Sequence, residues 1–379
     1  MGDKLYLPHS AQFDEMNANL AKIASMLGMQ SYTSSWKGVQ NAVRAGIAPE
    51  IFPVGTQLVV HHEVYGDHLY DVVAHDHYKS VHDENAHTMT LMCHDIITTL
   101  PYDRLEALYY AESELPAGTY YFTNPSAQVY LSQGSHQFTI TKDVPPGGVL
   151  ALSRALDTSV MSIVVHSSSG ADDEVLETVR LTAGSSGVNL GTLGVELNNY
   201  YRAMSGSNNY KESPLRQFLN SSAKEGEVWV EPQTKFDRVP SWNTNTAGFL
   251  RGLDGEFLAV VGAVSVPCYS NIDYESPDSY VEVGSSYTVN DKFFIASLAE
   301  TEGTLRQPTL DESERFPYFI GNDTGIIKYL DGVSETWWTR TVPETSNSSS
   351  RVYGITSTGG HGPYTADLYL GVVPVCNIV

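Results

Sequence analysis

Between residues 10 and 28, apolar side chains recur at Phe13, Met16, Leu20, Ile23 and Leu27, in steps of 3, 4, 3 and 4. That spacing predicts a helix with one apolar stripe, and it matches a coiled-coil seam over about two heptads. Ser10 can cap it, Asp14 and Glu15 fall in its first turn, and Gly28 can end it. Two readings stay open: a seam joining three chains of a fibre-like homotrimer, or an amphipathic helix folded onto its own domain. A second helix is predicted over 35–45, with Trp36, Val39 and Val43 on one face and Gly46 beyond its end.

The period then changes to that of strands, at 57–64, 68–73 and 88–97, before a helix predicted over 102–112. Short strands divided by turns such as Pro145-Pro-Gly-Gly148 follow as far as Val165. Ser167-Ser-Ser-Gly170 and Ala183-Gly-Ser-Ser-Gly187 mark the main boundary. Beyond it come helices over 193–204 and 213–223, the latter carrying Leu215, Phe218 and Leu219. Strands are predicted at 257–264, 292–297, 336–341, 352–356 and 368–375, separated by long loops over 269–289 and 342–350. The expected fold is mainly β with an α+β C-terminal domain. Its parts are an N-terminal oligomerisation or attachment helix (1–30), a β-rich module (31–112), a small β-sandwich-like module and linker (113–184), and the C-terminal domain (185–379).

Trp337 and Trp338 alternate faces if they lie on a strand, which predicts one in the core and the other beneath a surface site. Around them, Asn347-Ser-Ser-Ser350 and Thr356-Ser-Thr-Gly-Gly-His-Gly-Pro363 cannot form a core and are expected on the surface. A stiff frame carrying polar loops is the layout of a recognition surface. The candidate ligand-binding residues are Arg340, Asn347, Tyr353, His361, Tyr364 and Asp367, with the three aromatic rings as anchors. Arg340 is open to two readings, an internal salt bridge or a partner for an acidic or glycan group.

Composition narrows the function. Acidic residues outnumber basic ones 44 to 22 in 379 residues, giving a formal charge of −22. Such a chain lacks the basic stripe that displaces counterions from nucleic acid, and it is repelled by anionic membranes. Cys93, Cys268 and Cys376 are too few and too scattered for a disulfide framework or a metal knuckle, so buried free thiols are expected. Eight of the 12 histidines lie between 61 and 94, including His61-His62 and His75-Asp-His77. Without an HExxH motif or a cysteine partner they read as polar-face residues, so no metal and no cofactor is expected. The N-terminus lacks a signal-peptide core and no run of 18 apolar residues occurs. Synthesis in a cytoplasm, with no membrane insertion, is the expectation.

No GxSxG, P-loop or strand-linked GxGxxG is present. Any carboxylate pair drawn from 44 acids is uninformative without a separation. A non-enzymatic role is expected, with a fibre-associated polysaccharide depolymerase as the enzymatic alternative.

Several segments carry a resemblance: Ser213-Pro-Leu-Arg-Gln-Phe-Leu-Asn220, Trp229, Gly248-Phe-Leu250, Trp337-Trp-Thr-Arg340 and Gly371-Val-Val-Pro-Val375. In this order the region 190–379 is similar to C-type-lectin-like domains of the formylglycine-generating-enzyme type, found in proteins of gut-bacterial phages and prophages. Phe52-Pro-Val-Gly-Thr and Leu115-Pro-Ala-Gly-Thr-Tyr-Tyr-Phe look like the front half of such proteins. The resemblance implies a virion protein (tail tip, fibre or head decoration) whose C-terminal loops bind a protein or glycan receptor on the host surface. Its other partners would be further virion proteins, and a purely architectural decoration or scaffold role is the alternative. Val373 stands where relatives commonly place arginine. Formylglycine-generating chemistry is not implied, because Cys268 and Cys376 are the only thiols in the region.

Overall fold

The computed structural model describes residues 32–104, 109–111, 114, 116–123, 137–140, 143, 146, 149–150, 162–166, 179–183, 206–229, 239–270, 285–302, 313–343 and 350–379. The expected helices over 10–28 and 193–204, and with them Phe13, Met16, Leu20, Ile23 and Leu27, lie outside these residues. What is described is mainly β, with few helices, as the sequence pattern implied.

Helix α1 (Trp36–Arg44) starts where Ser35 accepts a hydrogen bond from the Gly38 N–H, and buries Val39, Ala42 and Val43. A single turn, α2 (Ala48–Ile51), leads into the antiparallel hairpin β1 (Gln57–His62) and β2 (Gly66–His75). β3 (Met89–Cys93) is buried throughout and pairs with β2; β4 (Thr98–Pro101) follows it.

The next strands are β5 (Tyr109–Ala111), β6 (Gly118–Thr123), β7 (Gln137–Ile140), β8 (Val149–Leu150), β9 (Ser162–His166) and β10 (Val179–Ala183). They form a six-stranded sheet of their own, in the order β7-β6-β9-β10-β5-β8. Of the helix expected over 102–112, the described residues 102–104 are not helical and 109–111 form β5. The aromatic pair Tyr109-Tyr110 fits a pleated strand, and these residues pair with β10 and β8.

After this sheet the chain returns through α3 (Pro214–Leu219), capped by Ser213, and α4 (Gly255–Val260). A strand was expected over 257–264. Asp254 instead accepts from the N–H groups of Glu256 and Phe257 and caps a helix that buries Phe257 and Val260, and extension resumes only at Val261. The remaining strands are β11 (Val261–Gly262), β12 (Val264–Ser270), β13 (Ser285–Asp291) and β14 (Phe293–Ile295). They are followed by α5 (Leu298–Glu302), β15 (Lys328–Leu330), β16 (Val333–Glu335), β17 (Trp337–Trp338) and β18 (Arg351–Ile355). The chain closes with β19 (His361–Thr365), β20 (Tyr369–Val372) and β21 (Pro374–Ile378). Loops that looked long are shortened by the β12–β13 hairpin, which pairs Val264 with Asp291 and Ser270 with Ser285.

Two sheets share this body. One runs β1-β2-β3-β21, and the far edge of β21 takes β14 and then β11. The other runs β19-β18-β17-β20-β4, with β17 and β20 parallel. The chain passes directly from one sheet to the other between β3 and β4 and, across the buried Val373, between β20 and β21. One apolar core therefore joins residues from Val39 to Ile378. Strands from 31–112 and from 185–379 meet in both sheets, β3 beside β21 and β4 beside β20. Lys328 adds a polar tie: its buried ammonium donates to the His94 carbonyl at 2.8 Å.

Both tryptophans are in the core, against the expectation that one would lie under a surface site. Each ring N–H is satisfied, Trp337 by the Ile326 carbonyl at 3.0 Å and Trp338 by the Leu100 carbonyl at 2.8 Å. Trp338→Ala is expected to cost about 3–5 kcal/mol in denaturant unfolding. A fragment of 185–379 lacks β3 and β4 and is expected to show no cooperative unfolding transition. A sharp two-state transition for that fragment would overturn the shared core.

Candidate functional site

Arg340 does not face a ligand. Its guanidinium is fully buried and grips both carboxylate oxygens of Glu300, at 2.7 Å (Nη1–Oε2) and 2.6 Å (Nη2–Oε1). Nε donates to the Pro267 carbonyl at 2.9 Å, and Nη1 also donates to that of Ile295 at 2.9 Å. The Tyr78 hydroxyl donates to Glu300 as well. Glu300 sits at the third helical position of α5: its carboxylate accepts from the Ser297 N–H at 2.9 Å and its N–H donates to Ser297 Oγ at 3.1 Å. This is a reciprocal capping box, and the sequence Ser297-Leu-Ala-Glu300 announces it. Burial pushes the Glu300 carboxyl up, but Arg340 and hydrogen bonds bring it down to about 2 from an ordinary 4.5.

The neighbouring histidine forms no catalytic relay. His77 Nε2 lies 2.7 Å from Ser313 Oγ and 3.8 Å from Glu300 Oε1, so both groups meet one ring nitrogen. A Ser–His–acid relay needs the acid on the other nitrogen.

The remaining C-terminal candidates do not form one patch. In the β18–β19 register, Ile355 opposes His361, Tyr353 opposes Pro363 and Val352 opposes Tyr364. Tyr353 and His361 thus share one face, with rings 5.6 Å apart, and Tyr364 lies on the other. His361 is tied inward to Glu302 of α5 at 2.7 Å, its side chain only 15% exposed. Tyr364 covers Gly354, where an added Cβ would come within 3.1 Å of its ring. Asp367 is half-buried, burial raises its carboxyl pKa, and one of its carboxylate oxygens is buried without a partner. Asn347 lies outside the described residues.

The histidines of 61–94 work singly. His61 pairs with Asp67 at 2.6 Å, His94 with Asp71 at 2.7 Å, and His75 Nε2 meets the Phe52 carbonyl at 2.9 Å. Among the described residues no three His, Cys, Asp or Glu side chains are grouped to hold a metal ion.

A cleft of about 440 Å3 opens instead where the β1–β2 turn meets two loops from the second half of the chain. His62 anchors the turn. Its Nε2 donates to the Phe249 carbonyl at 2.9 Å, while Nδ1 accepts from the N–H groups of Val64 (3.1 Å) and Tyr65 (3.3 Å). Burial lowers its pKa, and the two accepted bonds require the neutral ring. The ring stacks on Phe249 at 5.0 Å and touches Tyr65 at 4.6 Å. Across the cleft, Leu250 and Gly248 donate to the Ser221 and Ala223 carbonyls, both at 3.0 Å. Side chains are excluded at the joints: a Cβ on Gly248 would lie 2.1 Å from the Ser221 oxygen, and one on Gly252 2.1 Å from the His62 ring.

The rigid seams leave Tyr65, Lys224, Glu225, Thr246 and Arg251 lining the opening, beside Glu63 and Asn245. Lys224 and Arg251 are exposed, and their side chains make no ion pair or hydrogen bond among the described residues. A larger cleft of about 540 Å3, beside α1, differs in this respect. Its Gln40 and Arg44 already donate to the Val379 carbonyl, and its His87 is paired with Asp76.

Sequence reasoning missed the smaller cleft because its walls are about 160 residues apart in the chain, from Tyr65 to Glu225. Closely spaced glycines at 248 and 252 were the available signal.

Residues 177–379, more than half of the chain, match the domain of unknown function DUF6273. The chain belongs to the DUF6273 family. Searches of curated proteins and of solved structures return no match. The DUF6273 match takes in Glu300, Arg340, both tryptophans and the loop side of the cleft, but not β1–β4 or the turn that carries Tyr65.

Glu300→Gln leaves a buried guanidinium without its counter-charge and is expected to cost about 3–5 kcal/mol in denaturant unfolding. The wild-type pair also sets an acid limit. Because the folded carboxyl titrates below the unfolded one, its stabilisation is present above about pH 4.5 and is lost as the pH falls toward 2. Unfolding midpoints measured from pH 6 to pH 2 should fall in that window, and less steeply in Glu300→Gln.

Proposed function

We propose that this protein is a phage virion structural component, without enzymatic activity, that binds the surface of a host cell. The observation that carries the reading is the cleft bounded by Tyr65 and Arg251. An open recess mixes a half-buried aromatic ring with uncommitted polar and charged side chains, and tight backbone seams hold it in place. Pre-organised walls of this kind lower the ordering cost of binding. The likeness of Trp337-Trp-Thr-Arg340 and the closing strands to lectin-type phage domains supports the same reading, with a C-type-lectin-like fold for the C-terminal domain.

The recognition surface proposed is therefore the cleft. Arg340 and His361 serve the frame. The N-terminal seam of Phe13, Met16, Leu20, Ile23 and Leu27 would join three copies, so that weak single contacts act together.

Two measurements test this. In sedimentation, the full chain is expected to run as a trimer and a chain lacking residues 1–30 as a monomer. Labelled full-length protein is expected to be retained on at least one member of a panel of gut bacteria, and Tyr65→Ala to weaken retention at least tenfold. Absence of retention on every surface would leave the architectural role. Release of reducing sugar from retained envelope material would favour the depolymerase, with Glu63 and Glu225 as the acids to test.

A further inference from the structure

We infer that the cleft takes an anionic saccharide, with Lys224 and Arg251 binding its acidic group and Tyr65 carrying a sugar ring. The inference rests on the reading of the cleft as the ligand site and adds the chemical class of the ligand. It starts from the uncommitted cations. The chain has only 22 lysines and arginines against 44 acids, so an unpaired cation on this protein has many acids available to it. Arg216 is held by Asp291, and Arg340 by Glu300. Lys224 and Arg251 line the same recess, and neither has an anionic partner among the described residues. A guanidinium presents a planar fork and an ammonium a compact point charge, and together they suit a carboxylate or phosphate bound in a fixed orientation.

The other walls select a sugar over an acidic peptide. Glu63 and Glu225 open onto the same recess and, ionised, can only accept hydrogen bonds. Vicinal hydroxyls beside the acidic group of a sugar supply those donors, which the acidic side chains of a peptide, themselves only acceptors when ionised, do not. Thr246 and Asn245 add groups that both donate and accept. The half-buried ring of Tyr65 is braced against His62 and offers a flat apolar surface for the C–H face of a pyranose. A net charge of −22 disfavours polyanions at long range, so the attraction has to be local and confined to this recess.

The test uses the full chain and matched probes in calorimetric titrations: oligogalacturonate, its neutral methyl ester, and a sugar phosphate. At least one anionic probe is expected to bind at least tenfold more tightly than the ester, and the preferred probe shows whether carboxylate or phosphate is the natural group. Lys224→Ala and Arg251→Ala should each reduce that affinity about tenfold without moving the thermal midpoint. Glu225→Gln should weaken binding of the anionic probe by less than either cation variant. Equal binding of the ester and the acids, or anion binding unaffected by both cation variants, would overturn the inference. If cells retain the protein but no anionic probe binds, the ligand class fails and the surface-binding role stands. Retention by neither cells nor probes removes both.

Discussion

The structure turns on the buried pair between Arg340 and Glu300. Removing two charges from water is expensive, and the cost is offset only if almost every donor and acceptor finds a partner. Here the guanidinium reaches both oxygens of one carboxylate and the carbonyls of Pro267 and Ile295, while Glu300 also accepts from Tyr78 and the Ser297 amide. Those contacts fix the relative position of the segment after β2, of β12, of β14, of the start of α5 and of the segment after β17. An apolar replacement of similar volume could fill the space, but it would not fix the direction of approach of these five segments. The pair specifies the arrangement more than it stabilises it.

The same frame accounts for the location of the cleft. Arg340 and α5 lock one side of the core, and α5 also holds His361 through Glu302, so the β18–β19 hairpin is drawn inward. The β1–β2 turn, in contrast, is attached to the body through backbone groups and His62: the Glu63 N–H donates to Gly252, and the Asp254 N–H to His61. Such attachment leaves the outer side chains of the turn and of the facing loops uncommitted. Ordered backbone carrying unsatisfied side chains is the condition for selective binding.

Much of the architecture was legible along the chain, and the exceptions have physical causes. β1, β2, β3, β18 and α1 follow from alternation or helical spacing, and α3 from Ser213 followed by Pro214. The 257–264 segment misled because an apolar run reads as a strand, whereas Asp254 capping made its first half a helix. Arg340 stayed open between an internal salt bridge and a ligand contact, and one of the two tryptophans was placed beneath a surface site, because a Trp-Trp-Thr-Arg strand next to polar loops looks like a binding edge. Ser297-x-x-Glu300 was present to be read, but pairing it with an arginine 40 residues later requires the fold. Nor can a local pattern show that β3 lies beside β21, since the two are separated by about three quarters of the chain.

The distribution of the family match gives the cleft a further meaning. The matched residues 177–379 include Lys224, Thr246 and Arg251 but stop short of Tyr65 and Glu63. One wall therefore belongs to the family unit, and the other is supplied by strands that precede it and complete its sheets. In the proposed reading, the charged contacts come from the family unit and the ring that supports the sugar comes from the turn. The turn meets the body through backbone hydrogen bonds, His62 and the ring of Tyr65, so the exposed Glu63 and Val64 can change without disturbing the Arg340 network. Val64, 70% exposed at the tip, bears no packing load. A recess divided in this way can alter which saccharide it prefers while keeping its demand for an anionic group.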